Sequence, residues 1–245
     1  IHIMESIKDK KFVPNLEERL RPIYKSMVSS IKNIEDYWVF CAIWGKYFPE
    51  EKKSGILFYG RATNGWFDYT LTPDPFNGIF CREDQMDWML ECSTKPIVKL
   101  IKKVSNCFYP SDWNQHIAWS NVCKIAPDNK NGLPSNDLWD EQYQYMVDIM
   151  KVELQELSPK IVVFITGATA GEKWDAPFFE IEDYKDIKYT DSIEWCVDSK
   201  GHTCTTQACR KDGTIFIRTD RPEFRPIGEQ ADSIISLINK LKENK

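Results

Sequence analysis

Two short runs constrain this chain most. Gly55 to Gly60 (Gly-Ile-Leu-Phe-Tyr-Gly) and Ile161 to Thr166 (Ile-Val-Val-Phe-Ile-Thr) are apolar at consecutive positions rather than at alternate ones. A strand solvated on one face alternates, so a continuous run of this length implies cover on both faces, the pattern of a parallel sheet with helices on either side. Two further segments fit as neighbours. Ile117 to Asn121 leads strand-favouring residues into a polar break, and Thr214 to Thr219 (Thr-Ile-Phe-Ile-Arg-Thr) alternates before Asp220-Arg221-Pro222 stops it.

Helical spacing supplies the cover. Apolar positions recur at helical intervals over Leu16 to Ile31, Pro96 to Asn106, Met146 to Leu157 and Ala231 to Leu241. Pro96 suits a first turn and Ser158-Pro159 a stop. Ile34 to Phe48 is apolar on more than one side and reads as a helix packed between other elements, and Glu83 to Glu91 reads as a further helix. Ile187 to Val197 and His202 to Ala208 pair as a hairpin around Ser199-Lys200-Gly201. The expected fold is α/β, a three-layer α/β/α sandwich with a central, mainly parallel four-stranded sheet. It forms one domain over residues 1–245, with N-terminal helices in residues 1–50 packed on it.

The composition, 42% hydrophobic and 13% aromatic, is ample for one core. A net charge of −5 removes the argument for nucleic acid or membrane that a strongly basic chain would carry, so any polyanion site must be local. Eight cysteines form no CxxC pair and no metal-ligand spacing; Cys204 and Cys209 beside His202 are the nearest to a cluster. The expectation is a monomer with no metal, no cofactor and reduced thiols. With neither a signal-peptide pattern nor a long apolar run it reads as cytoplasmic and free of membrane.

Open parallel sheets place ligands beyond the carboxyl ends of their strands. Four loops therefore matter: Gly60-Arg61-Ala62-Thr63-Asn64-Gly65-Trp66, Asn121 and the loop after it, Gly167, and Arg221-Pro222. No phosphate loop of the GxGxxG or GxxxxGK[ST] type is present. Asn121 has the planar donor and acceptor set that reads a nucleobase edge, although a strand-end asparagine also serves to tie down its own loop. The aromatics of Phe67 to Phe80 are candidates either to stack on a base or to anchor their loop. Arg210, Lys211, Arg218, Arg221 and Arg225 gather around the last strand, as a phosphate-facing patch or as a solvated edge.

At the level of motifs the chain resembles the uracil-DNA glycosylase superfamily. Ile-Ala-Trp-Ser-Asn-Val-Cys-Lys-Ile-Ala-Pro, ending at Pro127, looks like that family's strand closed by a base-reading Asn and followed by Lys and Pro, while Leu154 to Gly167 is similar to its helix, strand and glycine. Gly60-Arg61-Ala62-Thr63 stands where the family has a glycine-led loop bearing a water-activating residue, which is missing here. The family's closing His-Pro is represented by Arg221-Pro222, and its cluster-binding cysteines are absent. The resemblance implies recognition of a nucleobase, with hydrolysis of the N-glycosidic bond of uracil or a damaged base in DNA; the alternative is an inactive member binding DNA, a free nucleobase or a nucleotide. It assigns catalytic work to Asn64, Asp68 and Arg221. Gly60, Arg61, Ala62, Trp66, Phe67, Asn121 and Gly167 would line the substrate site, and Lys124, Arg218 and Arg225 would face nucleic acid.

Overall fold

The computed structural model describes residues 14–48, 52–62, 94–127, 133–168 and 173–243. Nine strands and five helices over these residues make a mixed α/β architecture. The helices are α1 (Pro14–Ser30), α2 (Pro96–Phe108), α3 (Asn136–Leu157), the one-turn α4 (Ala176–Phe179) and α5 (Ile227–Glu243). The expected Glu83 to Glu91 helix lies outside the described residues.

The main sheet has seven strands in the order β2-β4-β3-β6-β9-β8-β7. Its centre is β4 (Ile117–Asn121), β3 (Ser54–Gly60), β6 (Pro159–Phe164) and β9 (Thr214–Thr219), all mutually parallel. These are the four strand segments expected from the sequence, but a four-stranded sheet is too small. β2 (Ile43–Trp44) adds antiparallel to β4, and the hairpin β7 (Asp191–Val197) and β8 (Thr203–Lys211) adds antiparallel to β9. β7 alternates between half-buried and exposed positions and buries only Trp195, as at a sheet edge, and so lacks the continuous apolar run of the central strands.

Each central strand sends alternate side chains into two separate clusters. Leu57, Tyr59, Ala118, Val162, Phe164 and Phe216 join the residues of α1 and α3 on one face. Ile56, Phe58, Ile117, Trp119, Ile161, Val163, Ile215 and Ile217 join those of α2 and α5 on the other. Accordingly α1 packs on α3, and α2 on α5. Ser135 caps α3 by accepting from the Leu138 amide at 3.2 Å, which starts the helix well before the apolar stripe that begins at Met146.

The segment read as a helix over Ile34 to Phe48 is instead largely extended. After a 3₁₀ turn at Ile34–Asp36 come β1 (Tyr37–Val39) and β2. β1 pairs with β5 (Ile125–Pro127) in a small two-stranded sheet, while β2 extends the large one. Residues 37–44 thus run antiparallel beside 118–127. Aromatic and β-branched residues such as Tyr37, Trp38 and Val39 suit a strand, and the segment is apolar on several sides because, wedged under α1, it sends Val39, Cys41 and Trp44 into the α1/α3 cluster and Ile43 into the α2/α5 one. The Tyr24 hydroxyl of α1 donates to the Phe40 carbonyl at 2.7 Å, fixing that wedge.

Candidate functional site at the carboxyl edge of the sheet

β3 and β4 run parallel in a register that puts Gly60 beside Asn121. Beyond the ladder the pairing continues, with Val122 N–H donating to the Gly60 carbonyl at 2.9 Å and Cys123 N–H to that of Arg61 at 2.8 Å. The Asn121 side chain folds over the Gly60 α-carbon, and its Oδ1 fills the space a Cβ there would need. Glycine is required at this position for close approach. Asn121 is 1% exposed, and its Nδ2 has no hydrogen-bond partner among the described residues. A buried amide donor left unmade costs about 1–3 kcal/mol, so the arrangement is expensive unless something else accepts from it.

The other predicted loops converge on the same edge. Arg61 Nε donates to the Thr166 carbonyl at 2.6 Å, and its guanidinium lies over the Trp174 ring at 5.2 Å. Ala62 is half-buried against the α1/α3 side. Gly167 takes φ +119 and donates its N–H to the Thr219 carbonyl at 3.0 Å, which stitches the end of β6 to that of β9. Arg61 and Arg221 then meet as walls of one open cavity of about 640 Å³, which Arg225 also lines. Asn121 is not among that cavity's lining residues. Asn64, Trp66, Phe67 and Asp68 lie outside the described residues.

Two of the cations expected to face nucleic acid do other work. Lys124 is fully buried, with Nζ 2.9 Å from Glu153 Oε1 and 2.6 Å from Ser120 Oγ. Tyr59 and Ser120 hydroxyls donate to the same carboxylate at 2.8 and 2.9 Å. Burial pulls the Lys124 ammonium below its ordinary value, the Glu153 carboxylate opposes that, and Tyr59 is pushed well up by burial and by Glu153. The reason Lys124 turns inward is visible on α3. Gln142 accepts from the Lys124 and Ile125 amides and donates to the Ile125 carbonyl, pinning this stretch to the helix.

Arg218 is equally committed. It binds Asp175 at 2.8 Å and Gln207 at 2.6 Å, and its guanidinium sits over Tyr189 at 4.8 Å. Thr166 Oγ1 donates to the other Asp175 oxygen at 2.7 Å, so Arg218 braces the end of β6 rather than facing solvent. Arg221, by contrast, is 38% exposed and pairs with Glu223 at 2.7 Å, a contact open to exchange with a phosphate or a base.

The cavity's other wall comes from the segment after β9 and from a turn that the sequence marks as a hairpin but not as part of a site. Asp198 Oδ1 accepts from the Lys200 and His202 amides, and Gly201 takes φ +77, which closes the β7–β8 turn. Those amide donors hold the Asp198 carboxyl below its usual range. Arg225 donates to Asp198 at 3.2 Å and to the Arg221 carbonyl at 2.8 Å. His202 Nε2 lies 3.5 Å from Asp220 Oδ1. A signal for this wall does exist in the sequence: one of three histidines adjoins an Asp-Ser-Lys-Gly turn beside a strand that ends at Asp220.

No family model matches the chain, and no curated protein matches it. Among the described residues no helix is long and apolar enough to cross a membrane.

Proposed function

We propose that the chain is a divergent uracil-DNA glycosylase-like protein, a three-layer α/β/α domain that recognises a nucleobase at the carboxyl edge of its parallel strands. One observation carries this reading: the buried Asn121 amide, held against Gly60 with a donor unmade. A uracil carbonyl is the right acceptor for that donor, and the amide oxygen can take the ring N–H after a small rotation. Arg221, at the rim of the neighbouring cavity, is the cation that would meet a phosphate or a departing base anion, with Arg225 behind it donating to the Arg221 carbonyl.

The test is titration of free uracil, cytosine and adenine, followed by calorimetry or NMR, against the parent and Asn121 variants. Uracil should bind in preference. Asn121→Asp offers acceptors only, so it should lose about 1–3 kcal/mol for uracil and turn towards the amino group of cytosine. Equal binding of all three bases by parent and Asn121→Ala would leave Asn121 as a loop tie and end the proposal.

A second reading, hydrolysis of the N-glycosidic bond, is favoured by the grouping of Arg61, Arg221 and His202 with the carboxylates Asp198, Asp220 and Glu223 around one cavity. Cleavage of uracil from single- and double-stranded oligonucleotides, with Arg221→Ala slowed about 10² to 10³-fold, is the expected result if the protein is an enzyme. Base binding without cleavage leaves the non-catalytic form of the proposal.

A further inference from the structure

Three potential ligand atoms of unlike chemistry meet where the β7–β8 turn crosses the end of β9. His202, Cys204 and Asp220 each present one such atom, and all three lie within 4.8 Å of one another. His202 and Cys204 are two apart at the start of β8, so their side chains leave the same side of the strand. Asp220 arrives from the next strand, one residue past β9. We infer that His202, Cys204 and Asp220 form a binding site for a borderline-soft divalent cation of the zinc class.

The donor set argues for that class. One thiolate, one imidazole and one carboxylate match zinc or cobalt, whereas magnesium and calcium take oxygen alone. Bond lengths of about 2.0–2.3 Å around a tetrahedral centre put ligand atoms about 3.3–3.8 Å apart. His202 and Asp220 already stand at 3.5 Å, and the Cys204 sulfur, within 4.8 Å of both, has at most about 1 Å left to close. Three protein ligands would leave a fourth position. His202 and Asp220 line the cavity while Cys204 is fully buried, so that position opens towards the cavity.

Supporting contacts hold the ligands. Asp220 Oδ2 accepts from the Thr205 amide at 2.9 Å, which aims the other oxygen at His202. The His202 amide donates to Asp198, fixing the turn that carries the imidazole. The nearby positive charge of Arg225 is balanced by its pair with Asp198 at 3.2 Å. Binding transfers one proton, from the Cys204 thiol to solvent, and changes no oxidation state. Asn121 takes no part in the site, so its test stands apart from base binding, although His202 and Asp220 are shared with the cavity of the hydrolytic reading.

Cobalt(II) is the probe, added under reducing conditions to the full chain carrying Cys107→Ser, which removes an exposed thiol. The expected result is a thiolate-to-cobalt charge-transfer band with the visible bands of four-coordinate cobalt, both abolished by one equivalent of zinc. Cys204→Ser should lose the charge-transfer band. His202→Gln alters a partly exposed turn residue, so the fold should persist, and cobalt affinity should fall at least about tenfold, the least that loss of even an outer-shell partner typically costs. Calorimetry of zinc binding in buffers of different ionisation enthalpy should report release of one proton. A six-coordinate spectrum without the charge-transfer band, or unchanged affinity in both variants, overturns the inference.

Discussion

Asn121 Oδ1 occupies the volume into which a Cβ on Gly60 would project. The two residues sit side by side on adjacent parallel strands, so neither backbone can retreat without breaking the ladder. Gly60→Ala should therefore move the Asn121 side chain and leave the strands in place. In NMR spectra the Asn121 side-chain amide signals, assigned by their loss in Asn121→Ala, should shift strongly in Gly60→Ala. Unmoved signals would show that the asparagine packs elsewhere.

Lys124 and Glu153 form an ion pair with no exposure on either side. Removing one partner of such a pair strands a buried charge and typically costs about 3–5 kcal/mol. Lys124→Met should lose stability of that order in urea unfolding. Adding Glu153→Gln should recover most of it, because the amide carries no charge, its oxygen can still accept from one of the two hydroxyls of Tyr59 and Ser120, and its NH2 can donate to the other. A double variant no more stable than Lys124→Met would show that the network matters for something other than charge.

Arg218 and Arg221 lie three residues apart and should behave oppositely. Arg218→Ala takes the cation from between Asp175 and Gln207, and should destabilise the fold by about 1–3 kcal/mol while leaving the salt dependence of any oligonucleotide binding intact. Arg221→Ala should barely change the melting temperature and should reduce that salt dependence. The comparison needs only thermal melts and binding at two ionic strengths.

Alkali should weaken the fold before it attacks the chain. Burial pushes the Cys209 thiol from 9.0 up to about 11, raises Cys123 further, and lifts the Tyr24 and Tyr59 hydroxyls well above 10.0. The native state thus keeps protons that the unfolded chain releases. Stability is full below about pH 9 and falls as pH rises through about 11. Urea midpoints measured across that window should drop, and the drop should be smaller in Cys209→Ala.

The central sheet is legible in the sequence because β3 and β6 carry apolar residues at successive positions, a local pattern that tertiary context does not alter. Residues 37–44 are not, since an edge segment buried on several sides shows the same all-round apolarity as a packed helix. Gly60 and Asn121 can be placed at one edge from strand order alone. Lys124 cannot: its three neighbours Tyr59, Ser120 and Glu153 come from β3, β4 and α3, and only Ser120 is close in sequence. The turn that carries Asp198 and His202 is marked in the sequence, but its meeting with Asp220 depends on an antiparallel hairpin joining a parallel sheet, which no single segment announces.

β3 pairs on one side with β4 and on the other with β6, and both come later in the chain. During synthesis it therefore waits, first for β4, then through all of α3 until Ile161 can reach Ile56. Such long-range parallel pairing makes for slow folding, and a strand with an open edge is the part of a nascent chain most prone to pair wrongly. The ribosome thus sets a lower limit on how soon this protein can fold, and of the four central strands β3 is the one that spends longest exposed.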